Sequence, residues 1–152
     1  MDRIDPRSDF VGEVSSGCLM TRARRISRVI TNIYDQELRN HGLNASQFSM
    51  LIVIAKLRGA SRAEIGRANF QDRTTLTRGL APLLKEGWIE ELPTKGGRSR
   101  PVVISAAGEK LLSEATPAWR EAQHKASRLV GKNGRKAIID IAENLPREDE
   151  PA

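Results

Sequence analysis

Apolar residues return along this chain with helical spacing in most segments and form short strand-like runs in only one. Residues 1 to 14 carry Pro6, Gly12 and scattered charges without apolar periodicity, which predicts a loose N-terminal arm. From Ser15 or Ser16, either able to act as a cap, Leu19, Ala23, Ile26, Ile30, Ile33, Tyr34 and Leu38 recur about every 3.6 residues. They predict a long amphipathic helix ending near His41-Gly42. Ser46 is placed to cap a second helix, in which Phe48, Leu51, Ile52, Ile54 and Ala55 are too dense for a surface element, so this helix is expected to be buried until Gly59 ends it.

Ser61-Arg62-Ala63-Glu64 has the spacing of a capping box and opens a short helix to about Asn69. Asp72 is placed to cap the next, whose Leu76, Leu80, Leu83 and Leu84 run to Gly87. The brief Phe70-Gln71 turn between them makes a helix-turn-helix candidate. Pro82 removes a backbone donor inside the second of these helices and should bend or end it. Trp88 to Leu92 and Pro101 to Ile104 then read as two strands flanking Thr94-Lys95-Gly96-Gly97-Arg98-Ser99-Arg100, a basic hairpin tip. Ser105 can cap a long segment from Ala106 to about Leu129, with a stripe of Leu111, Leu112, Ala115, Trp119, Ala122 and Ala126 and a kink expected at Pro117. Gly131 and Gly134 precede a final helix carrying Ala137, Ile138, Ile141, Ala142 and Leu145. The fold class is mainly α with a small β-hairpin.

Composition narrows this picture. A chain of 152 residues fits one domain, and an aromatic share of 4% leaves the packing to aliphatic side chains. No run approaches the roughly 18 apolar residues of a membrane span, and the first residues have no signal-peptide pattern, so a cytoplasmic protein is expected. One cysteine and two histidines, His41 and His124, give no basis for an internal disulfide, a metal site or a cofactor. Nor is there a glycine-rich phosphate loop or a nucleophile with a base, so an enzyme is not expected.

Charge changes the picture most. Residues 56 to 100 hold ten basic against five acidic residues, while residues 1 to 55 hold seven against six and residues 101 to 152 eight against eight. A basic block points to a polyanionic partner, although on charge alone a solvated face explains it equally well. The decisive feature is that it coincides with the helix pair and the hairpin. Arg73, Thr74, Thr75, Thr77 and Arg78 lie near the start of the second helix, the end that enters a major groove and whose free amides favour phosphate. Arg73 or Arg78 suits a guanine edge or a phosphate, and the threonines suit phosphates or thymine methyls. Lys95, Arg98 and Arg100 beside two glycines suit an A·T-rich minor groove. The alternatives are a capped surface helix and a solvated turn. Pairing the apolar stripes of the first and last helices between subunits would bury both and predicts a homodimer. A non-specific or architectural nucleic-acid-binding protein is the alternative function.

Taken together from about Cys18 to Leu145, this order of elements resembles the MarR family of winged helix-turn-helix regulators. The most specific stretch is Asp72-Arg73-Thr74-Thr75-Leu76-Thr77-Arg78 with Leu80, Pro82-Leu83 and Gly87, and a proline at the place of Pro82 is common in that family. Ser105-Ala106-Ala107-Gly108 resembles the family's strand-to-helix junction, and Pro117-Ala118-Trp119 its kink. One departure is Gly96, where many members carry an Asp two residues before the wing arginine, here Arg98. The resemblance implies one domain over 15 to 145, with a DNA-binding winged helix over 46 to 104 between dimerisation helices over 15 to 41 and 106 to 145, and an acidic tail over 146 to 152. It implies a ligand- or oxidant-responsive repressor that binds a pseudo-palindromic operator in double-stranded DNA as a dimer. It also implies two kinds of signal, a small aromatic or anionic effector, or an oxidant sensed at a cysteine near the start of the first helix. Cys18 stands at such a place and is the candidate redox sensor. A helix N-terminus and Arg22 would stabilise its thiolate, and a small buried hydrophobe is the alternative role. Tyr34, Trp119, His124 and the first-helix arginines are candidates for an effector cleft, and equally for packing or exposure.

Overall fold

The computed structural model describes residues 9–96 and 100–146, and side-chain caps set the starts of four of the described helices. Helix α1 spans Asp9–Gly17, where the sequence pattern predicts an arm. It buries no residue, so its sequence carries no core-facing stripe to read. Ser15 and Ser16 cap nothing: both hydroxyls donate to the Gly12 carbonyl, at 3.0 and 2.8 Å. The break comes at Cys18, whose extended backbone (φ −64, ψ 111) makes it the N-cap of α2, Leu19–Leu38. Leu38 is buried and Ile30, Ile33 and Tyr34 are half-buried, but Leu19, Met20, Ile26 and Val29 are exposed. A single 3-10 turn, Arg39–His41, and left-handed Gly42 follow.

Helix α3, Ala45–Leu57, is capped by Asn44 and not by Ser46. Asn44 accepts from the Gln47 amide at 2.9 Å and Gln47 accepts from the Asn44 amide at 3.0 Å. Asp35 of α2 accepts from the Ala45 amide at 2.7 Å, which ties the two helices together. Phe48, Met50, Leu51 and Ile54 are buried, while Ile52 faces out. Arg58, itself left-handed (φ 53), closes the helix one residue before Gly59.

Helices α4, Arg62–Ala68, and α5, Arg73–Lys85, come next, then strands β1, Ile89–Glu91, and β2, Val102–Ile104. The strands pair antiparallel with Ile89 opposite Ile104 and Glu91 opposite Val102, and Ala60 bridges Val102 on the other side. Helix α6, Ala106–Glu143, departs from helical dihedrals only at Gly131 (φ 73, ψ 171), so the glycine break expected before a final helix is present while the kink expected at Pro117 is not. Pro82 likewise does not end α5. Both Pro82 and Arg78 are exposed, so water can serve the carbonyl that the proline leaves without a donor. Leu38, Leu51, Ile54, Ile65, Leu80, Leu83 and Val102 fill the core between α2, α3, α4, α5 and the hairpin, with Trp88 and Trp119 packed against it. No helix among the described residues is long and apolar enough to cross a membrane.

Candidate nucleic-acid interface

Helices α4 and α5 are fixed at their starts by side-chain oxygens. Ser61 Oγ accepts from the Glu64 amide at 3.2 Å and Glu64 Oε2 accepts from the Ser61 amide at 2.7 Å, the reciprocal cap that the spacing predicts. Asp72 accepts from the Thr75 amide at 2.9 Å through Oδ1 and from the Thr75 hydroxyl at 2.8 Å through Oδ2. The backbone amides of Ser61 and Thr75, followed by the hydroxyls of the same residues, hold the carboxyls of Glu64 and Asp72 below the usual carboxylate range. In the turn between the helices Phe70 is left-handed (φ 53), and the Gln71 amide donates to the Gly66 carbonyl at 2.9 Å. A side chain on Gly66 would stand 3.0 Å from the Gln71 carbonyl oxygen and 3.5 Å from Leu76, so glycine permits this close crossing.

Helix α5 divides by face. Leu76, Leu80 and Leu83 are buried, and Gly79 lies against Met50. Arg73, Thr74, Thr77 and Arg78 are exposed, and their spacing puts them together on the opposite face. Neither arginine takes part in an ion pair among the described residues. Thr75 is exposed too, but its hydroxyl proton and its amide are committed to Asp72. The sequence expectation of free amides drawing phosphate to this helix end is thereby weakened, because an ionised carboxylate already occupies it. The exposed groups left on this face that could draw an anion are the guanidinium groups of Arg73 and Arg78.

The far end of α5, the base of the hairpin and the start of α6 form one hydrogen-bonded junction. Ser105 Oγ donates to the Gly87 carbonyl at 2.6 Å and accepts from the Gly108 amide at 3.1 Å, while the Ser105 amide donates to the Trp88 carbonyl at 3.0 Å. A Cβ on Gly108 would fall 2.1 Å from the Trp88 carbonyl oxygen. Ser105 and Gly108 of the Ser-Ala-Ala-Gly run are therefore fixed by contact. Out along the hairpin, Lys95 and Arg100 are exposed and Gly96 is left-handed (φ 89) with open space where a side chain would be. Arg98 lies outside the described residues. An ion pair that the sequence reading missed joins Arg62, first in α4, to Glu91, last in β1.

Cys18 is half-exposed at the α1–α2 break. The Thr21 hydroxyl is the largest cause holding its thiol below the ordinary value, followed by the Thr21 and Met20 amides, with Arg22 adding least. Arg22 instead donates to the Ser15 carbonyl at 2.9 Å. Of the cleft candidates, Trp119 packs on the core, Tyr34 donates to Gln123 on α6 and His124 is exposed. The structure offers a different hollow, of about 760 Å³, between α3, α4 and the end of α6, where Lys56 and Arg67 are matched by Glu64 and Glu143 around Val53, Leu57, Phe70 and Leu145. No group of His, Cys, Asp or Glu among the described residues is arranged to hold a metal ion.

No protein-family model matches the chain, and no curated protein does so at a significant level. Solved structures do. The MarR of E. coli, as a mutant complexed with operator DNA, superposes with a TM-score of 0.78 over 88% of this chain and 98% of its own at 18% identity. BpsR of Bordetella bronchiseptica, whose structure concerns regulation of DNA binding by 6-hydroxynicotinic acid, matches with a TM-score of 0.74 over 86% and 96% at 18% identity. These two establish the fold. The transcriptional regulator MosR of M. tuberculosis in complex with DNA is 30% identical over 83% of this chain and 94% of its own, with a TM-score of 0.71.

Proposed function

The chain belongs to the MarR family of transcriptional regulators, and from that premise we propose that it binds a specific DNA operator as a homodimer and is not an enzyme. The observation that carries this reading is the face of α5: Arg73, Thr74, Thr77 and Arg78 stand exposed together while the other face is locked into the core. A helix so anchored presents its side chains to a major groove in fixed order, with Arg78 or Arg73 for a guanine edge and the threonines for thymine methyls or phosphates. Lys95, Arg98 and Arg100 of the wing then serve the adjacent minor groove or backbone.

The dimer is supported by apolar side chains left in the open at both ends of the chain, among them Phe10, Leu19 and Met20 in the first two helices and Leu129, Ile141 and Leu145 near the last. A twofold axis through paired end helices would set two α5 helices about 34 Å apart, one turn of duplex. The inducing signal has two candidate sites. The hollow sets Lys56 and Arg67 beside Val53, Leu57 and Phe70, but Glu64 and Glu143 line it too, so it suits a small molecule with an apolar body and polar groups of either sign, and its volume is in the range of small-molecule sites. Cys18, with its lowered pKa, is the candidate for an oxidant.

Selection of duplexes from a random pool and from genomic fragments by the purified protein tests the reading. A regulator enriches one pseudo-palindromic sequence and binds it about a thousandfold or more tighter than random DNA. Equal affinity for every duplex would assign the chain to architectural binding instead.

A further inference from the structure

The Arg62–Glu91 pair has no part in the DNA contacts above, and its place in the small sheet gives it consequence. Ala60 bridges Val102, and Val102 faces Glu91 across the ladder, so the three residues form one row. Arg62 stands two residues beyond Ala60 and its guanidinium ends on Glu91, which joins the two outer edges of that row. Strand β2 is fastened to the body by the Ala60 and Val102 hydrogen bonds of 3.2 and 2.8 Å, whereas β1 is an edge strand. The ladder closes at the bond from the Leu92 amide to the Pro101 carbonyl, 2.8 Å, one residue past Glu91. The direction in which the hairpin tip leaves the body is therefore set where this pair sits.

We infer that Arg62 and Glu91 act as positioning residues that fix the wing's angle to the recognition helix, and through it the approach of the wing cations to a DNA backbone. The inference rests on the DNA-binding reading above. With side chains 35% and 28% exposed, the pair adds little to folding stability. Its loss is felt in binding, because an unpaired Glu91 at the wing base would also present a bare carboxylate to phosphates.

The test uses a labelled duplex carrying the sequence that the wild-type protein selects from a random pool, titrated at several salt concentrations. Glu91→Gln and Arg62→Gln should each weaken binding by about fivefold to tenfold and lower the salt slope by about one, with melting temperatures nearly unchanged. The double glutamine variant should be no weaker than either single, since both remove one interaction. The swapped variant Arg62→Glu with Glu91→Arg should restore affinity and slope. Tighter binding by Glu91→Gln would overturn the inference, because Arg62 would then meet phosphate itself while Glu91 masks it. Full affinity in both singles, or a swap as weak as the singles, would also overturn it. Failure of the wild type to select any duplex would defeat the underlying reading instead.

Discussion

Arg78 projects from a helix held by a capped start and three buried leucines, so in the proposed reading its guanidinium would approach a base from a fixed origin. Arg78→Ala should cost about 1 to 3 kcal/mol on the selected sequence and much less on random DNA, narrowing the gap between them. Arg98→Ala, in the wing, should weaken both and lower the salt slope by about one. Polarisation titrations on the two kinds of duplex separate the cases, and variants that lose specificity in the opposite pattern would reverse the assigned roles. Cys18 allows a pH test. Its ionised form is favoured chiefly by the Thr21 hydroxyl, so the thiol ionises below the ordinary cysteine range and reacts at lower pH than a free thiol. In Thr21→Val the alkylation rate should rise with pH only at higher values, whereas Arg22→Gln should shift that profile little. The family resemblance led to Cys18, with Arg22 and the helix end as the expected causes of a stabilised thiolate. The larger partner was not legible, because nothing in a Cys-x-x-Thr spacing says that the chain breaks at the cysteine and turns the hydroxyl towards it.

Three of the four side-chain-capped helix starts were legible in advance, the Asn44–Gln47 box of α3 having been taken for a Ser46 cap. Ser61 with Glu64, Asp72 and Ser105 each mark a helix start in sequence and in structure, because a side chain that satisfies an amide three residues on leaves a local signature. Helix α1 was read as an arm because it has no buried face, whereas the break expected at Gly131 before a final helix is present and the kink expected at Pro117 is not. The two kinds of glycine give a direct check. Gly108 in the first turn of α6 faces the Trp88 carbonyl oxygen at 2.1 Å from an added Cβ, so Gly108→Ala forces backbone apart and should destabilise by about 1 to 3 kcal/mol or more. Gly12 inside α1 has nothing within 4 Å, so Gly12→Ala should stabilise that helix by about 0.5 to 1 kcal/mol through propensity alone. Denaturant midpoints that move in the same direction for both would contradict the close packing at the junction. Because that junction also carries the Gly87 carbonyl and the wing base, Gly108→Ala should weaken DNA binding as well, which Gly12→Ala should not.

At the scale of the whole molecule, α2 and α6 pack together within one chain, yet part of the apolar surface of both, and of α1, stays open. Leu19 is 84% exposed and Ile141 63%, although both lie on apolar stripes of long helices. A helix pays no folding stability for such a stripe in isolation, so its burial must come from a second surface of matching character, and the other end of a second copy supplies one. Leu19→Glu and Ile141→Glu discriminate well, because each position is open in the single chain and a carboxylate there should leave helicity and melting of the monomer nearly intact. Across a subunit contact the same carboxylate is desolvated without a partner. Each variant should sediment as a monomer at micromolar concentration where the wild type sediments as a dimer. The selected operator should then be bound about a hundredfold more weakly, since two half-sites are no longer held by one linked pair of recognition helices. A single half-site should be bound as before, which separates loss of linkage from damage to α5. Variants that remain dimeric with full operator affinity would move the subunit contact away from the end helices.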